Sequence, residues 1–179
     1  MPTENERKFV VKKDCEKEIS GIANRSYKIS QGYLIATRGI TVRVRRSISR
    51  ETQNENFYFT LKVNTSGRVV EIENKIDKRD FEDLWNIALN KLEKIRYEVN
   101  FSKDVWEIDF FKDYKNETYI AVAEIEMPEG RIDPEVVPDF IYKNSIFKVP
   151  LTDSRFSNKL LGDARYASKL LEEIHKPKK

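Results

Sequence analysis

This sequence has only one cysteine, no long apolar run and no large excess of one charge. A single cysteine, Cys15, cannot form an intramolecular disulfide, which is consistent with a reducing compartment. No apolar run approaches the roughly 20 residues that span a bilayer, and no basic-then-apolar signal pattern opens the chain. We therefore expect a cytoplasmic protein that has no membrane partner.

The charges nearly cancel, since 33 basic and 30 acidic residues leave a net charge of +3 and are interleaved along the chain. This balance gives little reason to expect a specific nucleic-acid partner. Charged residues make up 35% of the chain, but its tyrosines, phenylalanines and tryptophans argue against disorder. We expect one domain over residues 1–179, a length that can bury a substantial core.

Short segments rich in β-branched and aromatic residues predict eight strands. They are residues 2–11, 28–36, 40–47, 56–63, 69–76, 92–101, 105–111 and 117–127. Residues 13–25 predict a short helix or a loop. Helical spacing and caps predict helices at 80–90 behind an Asp80 cap, near 135–142, and at 153–174 with a break at Gly162. Residues 128–150 otherwise predict loops, because they contain four prolines and Gly130. The fold class is α+β, mainly β, with an antiparallel closed barrel or strongly curled sheet.

Most of these strands alternate between an apolar and a charged face, because successive side chains of a strand point to opposite sides. Residues of like charge recur two positions apart on the charged faces. The acidic doublets are Glu4/Glu6, Glu71/Glu73 and Glu124/Glu126, and the basic doublets are Arg43/Arg45 and Lys94/Arg96.

Alternation does not say which face points inward. The pattern alone favours an apolar interior with the charged face in water, because burying charge is costly. The doublets favour the opposite arrangement, a charged tunnel covered by helices outside, because a solvated face tends to mix signs. Carboxylates would then bind Mg²⁺ or Mn²⁺, and basic groups would bind phosphate oxygens.

Short motifs follow one another in a recognisable order. They are ENERKF at residues 4–9, QGYL at 31–34, VRVR at 42–45, FTLK at 59–62, EIE at 71–73, KIRY at 94–97, WEIDFF at 106–111, AEIE at 123–126 and LTDSRFSN at 151–158. This order resembles that of the CYTH superfamily, the triphosphate tunnel metalloenzymes. The resemblance implies an eight-stranded antiparallel tunnel whose lumen is the charged face.

The resemblance also implies a role for individual residues, with Mg²⁺ or Mn²⁺ as the cofactor. The implied metal ligands are Glu4, Glu6, Glu71, Glu73, Asp109, Glu124 and Glu126. The implied triphosphate ligands are Lys8, Arg43, Arg45, Lys62, Lys94, Arg96 and Arg155. The implied catalytic group consists of Glu4, Glu6, Lys8, Lys62 and Arg155.

These residues are compatible with more than one function. The leading hypothesis is a metal-dependent triphosphatase that releases orthophosphate from inorganic tripolyphosphate and from nucleoside triphosphates. The same residues would serve an adenylyl cyclase that converts ATP to cyclic AMP and pyrophosphate. A thiamine triphosphatase would need an aromatic platform, for which Tyr33, Tyr58 and Trp106 are candidates. The non-enzymatic alternatives are a polyphosphate-binding module and an ordinary barrel, and the oligomeric state, a homodimer included, stays open.

Overall fold

The computed structural model describes residues 5–37, 39–65, 68–128 and 130–175, and of Arg68 only the backbone. A nine-stranded sheet dominates these residues. The strands are β1 (Glu6–Val11), β2 (Arg25–Thr37), β3 (Ile40–Ser49), β4 (Glu55–Thr65), β5 (Arg68–Lys75), β6 (Asn90–Phe101), β7 (Asp104–Lys112), β8 (Thr118–Glu126) and β9 (Ser145–Lys148).

All neighbouring strands of the sheet are antiparallel, in the order β5-β4-β3-β2-β6-β7-β8-β1-β9. In the described part of the chain β5 and β9 are edges, so backbone hydrogen bonds do not close the sheet. The sheet is nevertheless curled so strongly that side chains from β1 to β8 line one cavity. The predicted mainly antiparallel tunnel fold is confirmed.

The ninth strand comes from a segment that the sequence predicts as loop. β9 pairs with β1, where Phe9 lies opposite Lys148. Its four residues are too few to show an alternating pattern, and they follow a proline-rich stretch. The helix predicted near residues 135–142 is correspondingly shorter and begins only after Pro138.

Five helices accompany the sheet in the described ranges: α1 (Glu16–Ile22), α2 (Lys78–Ile87), α3 (Asp139–Tyr142), α4 (Asn158–Leu161) and α5 (Ala164–His175). The predicted Asp80 cap of α2 is wrong, because the Asp77 carboxylate accepts a hydrogen bond from the Asp80 backbone N–H at 2.8 Å and caps the helix instead. The predicted break at Gly162 is confirmed, since it separates α4 from α5. None of the described helices is both long enough and apolar enough to cross a membrane.

One apolar cluster lies on the outer face of the sheet. Phe9, Trp106 and Ile108 of the strands are buried there together with Ile19 of α1 and Ile141 of α3. The helices therefore cover the apolar face from outside, and the opposite face is left to form the lumen.

A second cluster closes one end of the lumen. It joins strand residues Val10, Leu92, Phe111 and Val122 to Phe156, Leu161 and Leu170 of the C-terminal segment. Each of these strand residues lies two positions from a charged residue of the same face, namely Lys8, Lys94, Asp109 or Glu124. The luminal face thus changes from apolar to charged along the strands, and α4 and α5 pack on its apolar end.

We predict that Phe156→Ala destabilises the protein by about 3–5 kcal/mol, because it leaves a cavity where a large ring is buried. Phe156 is 1% exposed and packs in the second cluster. Urea unfolding measures the change, with Leu151→Ala as the control because Leu151 is largely exposed. A loss below about 1 kcal/mol for Phe156→Ala would contradict the packing described.

Candidate active site

A cavity of about 550 Å³ lies inside the curled sheet. Its wall consists of Glu6, Lys8, Tyr33, Thr37, Thr41, Arg43, Arg45, Lys62, Glu71, Glu73, Arg96, Glu107, Glu124, Glu126 and residues 157–159. The charged face therefore points inward. The outward orientation that alternation alone favours is wrong, because helices cover the apolar face.

Basic side chains of β3 and β4 line one part of this wall. Arg45 Nε donates a hydrogen bond to Gln31 Oε1 at 2.9 Å. Burial, together with the nearby Arg43 and Arg96, lowers the pKa of Arg45 to about 10, so it is still charged at neutral pH. Arg43 Nη2 lies 3.4 Å from Glu71 Oε1, while its buried Nε has no hydrogen-bond partner among the described residues. A buried donor without a partner in a basic cavity wall is what an anionic ligand would satisfy.

The carboxylates of β5 lie beside these basic groups. Glu71 Oε2 is 3.7 Å from Lys62 Nζ. Glu73 Oε2 accepts a hydrogen bond from Thr60 Oγ1 at 2.8 Å and lies 3.9 Å from Arg43 Nη2. Both glutamates are partly exposed cavity-lining residues, so they offset the charge of the basic wall in this structure.

Acidic side chains of β1, β7 and β8 line another part of the wall. Glu6 lies directly opposite Glu126 in the strand register, and Glu107 lies opposite Glu124. Like charges in such positions repel each other. Lys8 relieves part of the repulsion, because its Nζ is 2.9 Å from Glu124 Oε1 and 3.0 Å from Glu6 Oε2. Burial alone would lower the pKa of Lys8, but Glu124 and Glu6 outweigh burial and raise it above its ordinary value.

The acidic wall offers the hard oxygen ligands that Mg²⁺ and Mn²⁺ prefer. Within the described residues, however, no group of three or more His, Cys, Asp or Glu side chains is arranged to hold a metal ion. Glu6 and Glu124 bind Lys8 instead, and the predicted ligand Glu4 lies outside the described residues. The carboxylates of the acidic wall thus fit a divalent cation by their chemistry, although the described ones are not grouped around a metal position in this structure.

An ion network built around the fully buried Lys94 and Asp109 lies next to the cavity. Lys94 Nζ donates to Asp109 Oδ2 at 2.6 Å and to Asn158 Oδ1 at 2.7 Å. Arg96 donates to both oxygens of the same carboxylate, each at 2.7 Å. Burial would raise the pKa of Asp109, but Arg96 and Lys94 hold it well below its usual range. Burial lowers the pKa of Lys94 to about 8, so both groups are charged at neutral pH.

This network separates two of the predicted site residues from the cavity. Lys94 and Asp109 are both 0% exposed and do not contribute to the cavity wall, whereas Arg96 does. Both oxygens of Asp109 accept hydrogen bonds from cations. The geometry therefore gives Asp109 the position of an anchor for Lys94 and Arg96, rather than that of a cavity-lining metal ligand.

Arg155 does not line the cavity in this structure. Its side chain is 46% exposed, and its Nη2 lies 2.8 Å from Asp153 Oδ2 while its Nη1 lies 3.2 Å from Glu173 Oε2. Phe156, the next residue in a short 3-10 helix, is buried in the second cluster, so Arg155 points to the surface. The order of the residues in the sequence does not show that Arg155 faces the surface while Phe156 faces the core.

Residues to which the sequence analysis gave no role also take part in the site, among them Gln31, Glu107, Asn158 and Lys159. Glu107 lies two residues before Asp109, and alternation could have identified it, since its carboxylate pairs with Arg96. Lys159 Nζ donates to the Ala36 backbone oxygen at 2.7 Å. Asn158 and Lys159 belong to a four-residue helix, which shows no periodic signal.

We predict that Asp109→Asn destabilises the protein by about 3–5 kcal/mol at pH 7, because it leaves the fully buried Lys94 without its carboxylate partner. A carboxylate whose pKa is lowered on folding contributes stability above its unfolded pKa of about 3.9. That stability is lost as the pH falls through the lower folded pKa. The difference in the free energy of unfolding between Asp109→Asn and the natural protein should therefore become smaller in acid. Urea unfolding at a series of pH values tests this, with Asp83→Asn on the exposed face of α2 as the control. Equal stability of Asp109→Asn and the control at pH 7 would contradict the network.

Comparisons with known proteins agree with this geometry. No family model matches the chain. An inorganic triphosphatase from Acetivibrio thermocellus is 29% identical over 170 residues, which cover 93% of this chain and 90% of that protein. The crystal structure of an inorganic triphosphatase has 25% sequence identity and a TM-score of 0.56, over 89% of this chain and 97% of that one.

A third likeness concerns the fold alone. The crystal structure of a candidate adenylate cyclase from Bacillus halodurans has a TM-score of 0.54 at 17% identity, over 86% of this chain and 97% of that one. The chain is thus similar in sequence and fold to inorganic triphosphatases, which agrees with the resemblance of its ordered motifs to the CYTH superfamily, the triphosphate tunnel metalloenzymes.

Proposed function

We propose that the protein is a metal-dependent triphosphatase that hydrolyses inorganic tripolyphosphate and nucleoside triphosphates and releases orthophosphate. The observation that carries this proposal is the sharing of one cavity by a basic wall and an acidic wall. A triphosphate needs cations for its oxygens, and a metal that accompanies it needs carboxylates. The A. thermocellus relative, which is described as an inorganic triphosphatase, supports the same reaction class.

The basic wall would bind the triphosphate. Arg43 and Arg45 point guanidinium groups into the lumen, and such groups form paired hydrogen bonds with phosphate oxygens. The unpartnered Nε of Arg43 and the ammonium of Lys62 would add contacts. A volume of about 550 Å³ lies within the usual range of small-molecule sites, about 300–1,000 Å³.

The acidic wall would hold the cofactor. Glu6, Glu124 and Glu126 are the cavity-lining candidates, and Glu4 is a further ligand predicted from the sequence. Mg²⁺ or Mn²⁺ at these carboxylates supplies charge neutralisation and activation of water. Lys8, once released by Glu6 and Glu124, would turn its ammonium to the phosphate oxygens. Catalysis by the chain is then mainly positioning of the substrate and stabilisation of the charge that develops on its oxygens.

We predict that Glu6→Gln and Glu124→Gln each lower kcat at least 100-fold while the protein stays folded, because each removes a carboxylate from the acidic wall. Phosphate release is measured with Mg²⁺ or Mn²⁺ and tripolyphosphate, ATP or thiamine triphosphate, and cyclic AMP is measured in parallel. Glu172→Gln, on the exposed face of α5, is the control and should keep full activity.

The products of the natural protein decide between the alternatives. Orthophosphate from at least one substrate supports the proposal, whereas cyclic AMP and pyrophosphate from ATP would replace it with a cyclase. Tripolyphosphate binding without any product would indicate a binding module. Full activity of both Glu6→Gln and Glu124→Gln would contradict the assignment of the acidic wall.

We predict that Arg43→Ala lowers kcat/KM about 30-fold or more, because Arg43 is partly buried in the cavity wall and truncating one partner of a charge pair there costs about 2–5 kcal/mol. Arg155→Ala should change it less than twofold, since Arg155 lies on the surface with Asp153 and Glu173. Steady-state kinetics with tripolyphosphate measures both variants. Equal losses in the two would contradict the placement of Arg155 outside the site.

A further inference from the structure

Gln31 is a neutral side chain that is 0% exposed on the charged face of β2. Both polar atoms of its amide are used. Its Oε1 accepts the hydrogen bond from Arg45 Nε at 2.9 Å, and its Nε2 donates to the Tyr33 hydroxyl oxygen at 2.7 Å. Arg45 and Tyr33 both line the cavity. Gln31 therefore links two cavity-lining groups from behind.

The chemistry of Arg45 determines which of the two polar atoms of the Gln31 side-chain amide faces it. A guanidinium group only donates hydrogen bonds, so the Gln31 atom that faces it must be the oxygen. The amide NH₂ then faces Tyr33, and the phenol oxygen must accept. The hydroxyl hydrogen of Tyr33 therefore points away from the Gln31 amide and can be donated to another acceptor.

The surroundings of Tyr33 favour a neutral phenol that donates. Burial raises the pKa of Tyr33 above its ordinary value, and Arg43 and Arg45 offset only part of that effect. The hydroxyl therefore keeps its proton at neutral pH. Arg43 lies directly opposite Tyr33 in the strand register, and Arg45 lies opposite Gln31. The phenol donor thus stands among the groups that would bind phosphate.

The backbone between these two residues is held in place by close packing. A Cβ atom added to Gly32 would lie 2.9 Å from Ala88 Cβ and 3.1 Å from Trp85 Cε3. The strand therefore lies against the end of α2 at this point, and no larger residue fits there without a shift. This contact fixes the positions from which Gln31 and Tyr33 project.

We propose that Tyr33 donates a hydrogen bond to a phosphoryl oxygen of the bound triphosphate, and that Gln31 is the positioning residue that aims this donor together with Arg45. The inference rests on the proposed function. It also explains why a glutamine occupies position 31. A carboxylate there would accept from both neighbours, so the Tyr33 proton would turn to residue 31 and away from the substrate.

A double-mutant cycle with Tyr33→Phe and Gln31→Glu tests the inference. Tripolyphosphate binding is measured by calorimetry on metal-free protein, and KM and kcat are measured with Mg²⁺. In the natural background Tyr33→Phe should weaken binding and raise KM about tenfold, with kcat changed less than twofold, because it removes one hydrogen bond to a charged acceptor. In the Gln31→Glu background Tyr33→Phe should change binding less than twofold, because the hydroxyl already donates to residue 31.

Gln31→Glu adds a negative charge, but this charge is present both in the single variant and in the double variant with Tyr33→Phe. The effect of Tyr33→Phe in this background therefore does not include it. Unchanged binding by Tyr33→Phe in the natural background would overturn the phenol donor. An equal loss in both backgrounds would overturn the role of Gln31. When either of these results is found and the natural protein still binds and hydrolyses tripolyphosphate, only this inference fails. If the natural protein neither binds nor hydrolyses tripolyphosphate, the proposed function fails as well. Circular dichroism of the four proteins checks that each is folded.

Discussion

The need to compensate buried charge is the constraint on which this structure depends. Lys94 and Asp109 are completely buried, and each would cost several kcal/mol in isolation. Arg96 and Lys94 together donate to both oxygens of Asp109, which makes the burial tolerable. Charges of one sign thus need charges of the other on neighbouring strands. Where the luminal face is charged, apolar residues alternate with the charged ones and pack on the outside, under the helices.

The same network connects the core to the cavity. Asn158, the first residue of α4, accepts a hydrogen bond from Lys94, and Leu161 of the same helix packs in the apolar end of the lumen. The C-terminal segment therefore completes a hydrophobic cluster and a buried ion network at once. Closing one end of the lumen in this way keeps water from one side of the charged groups, which strengthens their attraction for a charged ligand.

Local patterns predicted much of this arrangement. The eight long strands and their doublets follow from a two-residue alternation, and the helix break follows from Gly162. Other features depend on contacts distant in sequence. The alternation of apolar and charged residues does not say which face of the sheet lines the lumen. β9 is a strand only because it pairs with β1. The outward position of Arg155 comes from the burial of its neighbour, and the role of Gln31 appears only when β2 and β3 are aligned.

The central claim is that the charged lumen binds a triphosphate and a divalent cation together. A crystal structure with tripolyphosphate and Mn²⁺, using the anomalous signal of manganese, tests it most directly. We expect phosphate oxygens within hydrogen-bonding distance of Arg43 and Arg45, and manganese at Glu6 and Glu124. Tripolyphosphate bound outside the lumen, or bound inside it with no manganese at these carboxylates, would contradict the account.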